Sequence, residues 1–259
     1  MRDSARMKLI LCRDRDEAAA KVADLLVEGV RRQPLLRLGL SAGVTSLQAY
    51  GAVVRRFHQE GGFSFRWVST FNTDEYVGLK PNDPRSTRFL MNSALFWQID
   101  LPLDQTHIPR GDSQDLEAEC KAYDLLIQAR GGLDLVVLGL GHNGHVGLNE
   151  PGSSAKSRTR LVDLTPSTLA AISGGERFKH LDETPGQAVA MGMATILEAR
   201  TAVLIATGVG KADALQKMLE GKPGPTHPAS LLMDHDDLTV IADRDAAMKL
   251  NPKTIGKLA

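Results

Sequence analysis

Leu133-Asp-Leu-Val-Val-Leu138 runs directly into Gly139-Leu-Gly-His-Asn-Gly-His-Val-Gly-Leu-Asn-Glu150. A mostly apolar run without alternation reads as a strand covered on both faces, which is how strands of a parallel sheet look. The glycine-rich stretch is then the loop at the strand's carboxyl end, the edge where open α/β sheets bind ligands. Glycine lets a backbone approach a ligand closely or take positive φ. His145 brings an imidazole, the side chain suited to shuttling protons, and Glu150 follows a few residues later, close enough to orient it.

Working outward, strand patterns at 7–12, 35–40, 65–71, 202–207 and 238–242 alternate with helical ones. Asp14 or Asp16 caps a helix with Val22, Leu25, Leu26 and Val30 on its apolar face. A second helix starts near Thr45 and turns Leu47, Tyr50, Val53, Val54 and Phe57 to one side. Further helices are expected at 85–96, from Asp112 or Ser113 with Leu116, Tyr123, Leu126 and Ile127 inward, at 188–198 and at 211–220. Residues 151–187 are irregular and polar, punctuated by Gly152, Gly174, Gly175, Pro185 and Gly186. A loop that long in a compact domain is functional or mobile, and a mobile lid is expected around 163–187. The alternation predicts one α/β domain over 1–259, with a doubly wound, mainly parallel, modified Rossmann-like sheet and an active site at the carboxyl ends of its strands.

Composition narrows the function. Lys plus Arg and Asp plus Glu both number 31, for a net charge of zero. A dedicated nucleic-acid binder carries a basic face, so no nucleic-acid partner is expected. No apolar run nears the ~20 residues of a membrane span. The two cysteines, Cys12 and Cys120, lie in apolar-periodic segments and read as small buried side chains. Neither CxxC nor Cys/His spacing suggests a metal. A cytoplasmic protein without metal or cofactor is expected.

Four loops on one sheet edge carry chemistry. Ser41-Ala-Gly-Val-Thr-Ser46 opens a helix and aims free N–H groups at an anion. Phe71-Asn-Thr-Asp-Glu-Tyr-Val-Gly78 places two adjacent carboxylates, Asp74 and Glu75, after a buried strand, where mutual repulsion raises one pKa and makes a better base. Gly208-Val-Gly-Lys211 adds a lysine at another helix start, able to meet a phosphate as a point charge. With the His145–Glu150 loop, these point to proton transfer on a small phosphorylated metabolite.

The stretches Phe71-Asn-Thr-Asp-Glu-Tyr-Val-Gly-Leu79 and Gly141-His-Asn-Gly-His-Val-Gly-Leu-Asn-Glu-Pro-Gly152 resemble the two signatures of the glucosamine-6-phosphate deaminase (isomerase) family. The likeness continues through Ser157-Arg-Thr-Arg160, Gly192-Met-Ala-Thr-Ile-Leu197 and Thr207-Gly-Val-Gly-Lys211, and covers nearly the whole chain. It implies that Asp74 moves the proton between C2 and C1 of the open-chain aldose. It implies that His145 assists ring opening and that Glu150 orients His145. Asn143 stands where many members have Asp and keeps a hydrogen bond to the imidazole. The phosphate would sit on Gly43, Val44 and Thr45 with Lys211. Glu75 joins the substrate-binding group, and Arg177 is the nearest match to the family's lid arginine. The phosphate turn departs from the family's usual Thr-Gly-x-Thr-Pro at Ala42 and Ser46.

The implied reaction is isomerising deamination of glucosamine 6-phosphate to fructose 6-phosphate and ammonia, with no cofactor. The alternatives are a galactosamine-6-phosphate deaminase, a 6-phosphogluconolactonase, for which an intact Asp74 is superfluous, and a non-enzymatic sugar-phosphate sensor. Monomer and homo-oligomer both stay open. In hexameric members N-acetylglucosamine 6-phosphate activates at a subunit interface. The matching positions retain Ser153, Ser154 and Arg160 but carry Val162 where a basic residue is typical, so no activation is expected.

Overall fold

The computed structural model describes residues 6–175 and 177–258. In chain order the elements are β1 (Arg6–Cys12), α1 (Arg15–Arg32), β2 (Arg37–Leu40), α2 (Val44–Glu60), β3 (Ser69–Asn72), β4 (Asp74–Tyr76) and α3 (Thr87–Ala94). Then come β5 (Thr106–His107), α4 (Leu116–Ala129), β6 (Leu135–Gly139), β7 (Arg160–Asp163), α5 (Pro166–Ile172), β8 (Gln187–Ala190) and α6 (Met193–Leu197). The chain closes with β9 (Thr201–Ala206), α7 (Ala212–Glu220), β10 (Asp237–Asp243), α8 (Arg244–Ala247) and α9 (Pro252–Leu258). Short 3-10 turns join several of them.

Seven strands form one parallel sheet in the order β1-β10-β9-β6-β2-β3-β5. From β2 the chain winds outward through β3 and β5. From β6 it winds the other way through β9 and β10. The order therefore reverses between β2 and β6, and the loops leaving those two strands part to open a crevice.

The quoted apolar run explains why β6 sits at the centre. Leu135 and Val137 face one layer, packing with Val22 and Leu26 of α1 and Ala49, Tyr50 and Val53 of α2. Val136 and Leu138 face the other, with Tyr123 and Ile127 of α4, Met193 and Ile196 of α6 and Leu215 and Met218 of α7. Both faces are dry, so the strand shows no polar alternation. Asp14 caps α1, accepting from Glu17 N at 2.9 Å. No helix among the described residues is long and apolar enough to cross a membrane.

Four expectations need correction. Segment 151–187 is not structureless, because β7, β8 and β4 form a small antiparallel sheet, in the order β4-β8-β7, over Tyr76, Leu148, Val162, Phe178, Ala188 and Ala190. Residues 188–198 are not one helix. Ala188, Val189 and Ala190 pair with β4 and β7 and are wholly buried, so tertiary pairing overrides alanine's helix preference. Strand β3 begins only at Ser69, since the Phe65 N–H is taken by Asp100 at 2.7 Å and Val68 closes a turn onto the Phe65 carbonyl. Helix α4 likewise starts later than expected, with Asp115 as its cap, accepting from Ala118 N at 2.9 Å.

Candidate active site

The loops leaving β2, β6 and β9, three adjacent strands, build one wall of the crevice. Buried Tyr50 fastens the first, donating to the Ser41 carbonyl at 2.8 Å, and the Ser41 and Ser46 hydroxyls bond at 2.7 Å. Helix α2 starts behind Gly43 with no side-chain cap. Its first N–H groups therefore have no helical acceptor and remain free donors. The space beside Gly43 is open and Val44 is 79% exposed. Thr45 Oγ1 lies 3.4 Å from Thr207 Oγ1, which joins this turn to the loop after β9. There Gly208 takes φ 85°, and its N–H donates to both oxygens of Asp243 at 3.0 Å. Asp243 also caps α8, so one carboxylate fixes the turn that delivers Lys211. Burial pushes the Lys211 ammonium down to about 8.

Asp74 stands where the chain leaves the large sheet for the small one. The Thr73 N–H still bonds to the Leu40 carbonyl at 3.0 Å, and Asp74 then pairs with Ala190. Its carboxylate is 8% exposed and accepts from Thr73 Oγ1 at 2.7 Å. Burial raises its pKa, opposed by the Thr73 hydroxyl and by the charges of Arg177 and His145. A carboxylate raised by desolvation is a stronger base than one in water.

Glu75 does something else. It accepts from the N–H groups of Thr87 at 2.8 Å, Arg88 at 3.0 Å and Tyr76 at 2.9 Å. The carboxylate sits at the positive start of α3 and holds that helix to β4. The expected carboxylate pair is split: one faces the site, the other anchors a helix. Burial, not mutual repulsion, is the leading cause of the raised pKa of each.

The loop after β6 is shaped around His145. A Cβ on Gly141 would lie 2.5 Å from three ring atoms of His145, so only glycine lets the imidazole lie there. Leu148 takes φ 52°, the sole non-glycine among the described residues with positive φ. Such a conformation costs roughly 1–2 kcal/mol for a side-chain-bearing residue. Asn149 holds the loop in place, donating to Val146 O at 3.0 Å, Gly147 O at 3.3 Å and Met191 O at 2.8 Å and accepting from Arg160 at 2.9 Å.

Glu150 is buried at the centre of a polar network. It accepts from Asn143 Nδ2 at 2.6 Å and from Thr165 Oγ1 at 3.1 Å. His145 Nδ1 is 3.2 Å from Thr168 Oγ1 and 3.7 Å from Glu150, the second an ion-pair rather than a hydrogen-bond distance. Asn143 bonds not to the imidazole, as expected, but to the His145 backbone, its Oδ1 accepting from the main-chain N–H at 3.1 Å, because its Nδ2 is turned to Glu150. Burial acts to raise the Glu150 pKa, but the surrounding His145, Thr168 and Asn143 groups outweigh it and hold the carboxyl at about 2. A fixed negative charge behind Nδ1 favours a proton on that nitrogen, leaving the Nε2 lone pair as the working end.

Met191 joins the loops that carry Asp74 and His145: its N–H donates to Thr73 O at 2.7 Å while its carbonyl receives Asn149. Asp74 and His145–Glu150 are thus brought together, as are Gly43–Thr45 and Lys211. Arg177 lies on the Asp74–Glu75 side. Its guanidinium stacks 4.6 Å over Tyr76 and donates to Arg85 O at 2.7 Å and Thr87 Oγ1 at 3.1 Å. Sequence reasoning missed Thr165, Thr168 and Asp243. Thr165-Pro166-Ser-Thr168 is a readable helix cap, and Thr165 accepts from Thr168 N in that role, but nothing local aims its hydroxyls at a loop far back in the chain.

A buried carboxylate, a carboxylate-backed imidazole, an uncapped helix start and a lysine, all on loops around the switch point of a doubly wound sheet, are groups able to move protons and to meet an anion. Residues 14–241 match the family described as glucosamine-6-phosphate isomerases/6-phosphogluconolactonase, and the chain belongs to it. It is 45% identical over 240 residues to a glucosamine-6-phosphate deaminase of Geobacillus sp. (strain WCH70), covering 93% of this chain and 94% of that one. It is 40% identical to glucosamine-6-phosphate deaminase 1 of Bacillus subtilis (strain 168), over 93% and 98% of the two chains. A solved monomeric glucosamine-6-phosphate deaminase superposes with a TM-score of 0.91 at 39% identity, covering 94% of this chain and all of that one. The 6-phosphogluconolactonase of Trypanosoma cruzi, at 22% identity and a TM-score of 0.76, shares the fold.

Proposed function

We propose that this chain converts glucosamine 6-phosphate and water to fructose 6-phosphate and ammonia. The observation that carries the reading is Asp74: a buried, proton-hungry carboxylate held beside, but outside, the His145–Glu150 network. Two proton tasks need two groups. The C2 proton of the sugar is only weakly acidic until the ring opens and C1 becomes a carbonyl. His145 Nε2 moves the ring-oxygen proton, and Glu150 steadies the charge left on the ring. Asp74 then takes the C2 proton, the electron pair forms the C1–C2 enol, and the same proton returns to C1. The resulting C2 imine adds water and expels ammonia. A lactone hydrolase needs no carbon base, so Asp74 favours the deaminase over that relative.

Thr45, the free N–H groups of Gly43–Val44 and Lys211 hold the phosphate, away from the reacting carbons. Arg177, whose charge already reaches Asp74 from its place over Tyr76, completes the substrate-binding group. Glu75 serves by keeping α3 against β4. The test is ammonia release, coupled to fructose 6-phosphate formation, with glucosamine 6-phosphate and galactosamine 6-phosphate compared. One ammonia per ketose with the gluco substrate is expected. No ammonia from either sugar contradicts the reading.

A further inference from the structure

His142 belongs to the glycine-rich loop yet has no part in the Glu150 network. It is exposed, and its imidazole turns toward the loop after β9. Nδ1 lies 3.4 Å from Lys211 Nζ. An ammonium can only donate, so Nδ1 is the acceptor and the ring proton sits on Nε2. The other edge of the ring packs on Gly210, where an added Cβ would lie 2.9 Å from Nε2 and 3.3 Å from Cδ2. Gly210 therefore makes room for His142, much as Gly141 makes room for His145.

The choice of partner matters chemically. Several fixed cations in this protein are held by carboxylates, as Arg37 is by Asp134 at 2.7 Å and Lys249 by Asp213 at 2.6 Å. Such a partner orients a cation but cancels its charge. Lys211 forms no carboxylate ion pair among the described residues, and its hydrogen-bond partner there is a neutral imidazole. A neutral acceptor fixes the ammonium and leaves its full charge for an incoming anion. The other two donors of the ammonium stay free.

We propose that His142 is a positioning residue that holds Lys211 over the α2 turn for the substrate phosphate. This rests on Lys211 being the phosphate ligand. His142 contributes to binding rather than to the proton steps, and does so through Lys211.

The experiment is a cycle over His142→Val, Lys211→Met and the double variant, with His142→Asn as the rescue, since its Oδ1 takes the place of Nδ1. Two readouts are taken: steady-state constants with glucosamine 6-phosphate, and calorimetric affinity for inorganic phosphate, which needs no turnover. His142→Val is expected to raise KM and the phosphate dissociation constant by about fivefold each, the size of one weak charge-assisted hydrogen bond. The rate constant kcat should move by less than about twofold, because only binding shared by ground and transition states is lost. His142→Asn should restore both constants. In the Lys211→Met background His142→Val should add nothing. A full fivefold loss persisting in that background, or a fall in kcat without a change in KM, overturns the proposal. Wild-type protein that binds phosphate through this pair yet releases no ammonia overturns the proposed reaction and leaves the role of His142 standing.

Discussion

The two halves of the proposed site, one for the proton steps and one for the phosphate, are built on opposite plans. The proton-handling half is dry and saturated: Glu150 is 4% exposed and Asp74 8%, and each is held by hydrogen bonds of 2.6 to 2.7 Å. The anion-holding half is open and undersubscribed: α2 has no side-chain cap, Val44 is exposed, and the polar contacts joining its loops are 3.4 Å long. The contrast follows from what each half must do. A base works through a pKa, which burial and fixed partners set before substrate arrives. An anion subsite works through donors that have nothing else to bond, so saturating them would remove their use.

Substitutions should therefore act on kcat in the first half and on KM in the second. Asp74→Asn is the largest expected effect. An amide cannot take the C2 proton, and kcat should fall on the order of 10²–10⁴-fold while substrate still binds. A rate above about a tenth of wild type would show that Asp74 is not the base.

Next come His145→Gln and Glu150→Gln, each expected to lower kcat by about 10²-fold because both serve ring opening. Their double variant should be little worse than either alone. An open-chain substrate analogue should partly rescue His145→Gln, and equal impairment on cyclic and open forms would place His145 in another step.

Lys211→Ala should raise KM by roughly 10–100-fold with kcat nearly unchanged, the cost of one charged hydrogen bond. A kcat loss as large as that of Asp74→Asn would erase the distinction between the halves. The same lysine should set a pH limit. Its pKa is lowered to about 8, so the ammonium is present below that pH and lost above it. The quotient kcat/KM, which reports the free enzyme, should fall as pH rises through about 8. Lys211→Arg should move that fall to higher pH; an unchanged profile would assign the titration to another group.

The smallest expected effect is none. Arg160 donates to Asn149 at 2.9 Å and to Ser153 at 2.7 Å, and Ser153 donates to Glu150 O at 2.7 Å. These residues brace the loop that carries His145 and Glu150. Val162, where the resemblance leads one to expect a basic residue, is buried against Tyr76 and Phe178 in the small core. Substrate kinetics should be hyperbolic and indifferent to N-acetylglucosamine 6-phosphate and to EDTA. Sigmoidal kinetics made hyperbolic by that compound would contradict this.

The sequence made the large sheet legible because its strands carry their own signal. The run ending at Leu138 is apolar on both faces, and the glycines after it sit where His145 and the φ 86° turn at Gly144 need them. The small sheet was hidden because its strands are only three or four residues long and β4 pairs with β8 far along the chain. No window around Ala188–Ala190 contains β4 or β7, so local propensity suggested a helix. Site residues followed the same division. Asp74, Asn143, His145, Glu150 and Lys211 stand out by type and place. The diversion of Glu75 to α3, and the hydroxyls of Thr165 and Thr168 around Glu150, exist only once distant segments meet.

On the proposed reaction a desolvated Asp74 removes the C2 proton of an aminosugar phosphate. Glucosamine 6-phosphate deuterated at C2, followed by NMR, tests it most directly. With wild-type protein the deuterium should leave C2 as ammonia is released, reappearing at C1 of fructose 6-phosphate or in solvent, and Asp74→Asn should abolish both events together. Ammonia released with the C2 deuterium still in place, or C2 exchange persisting in Asp74→Asn, would contradict it.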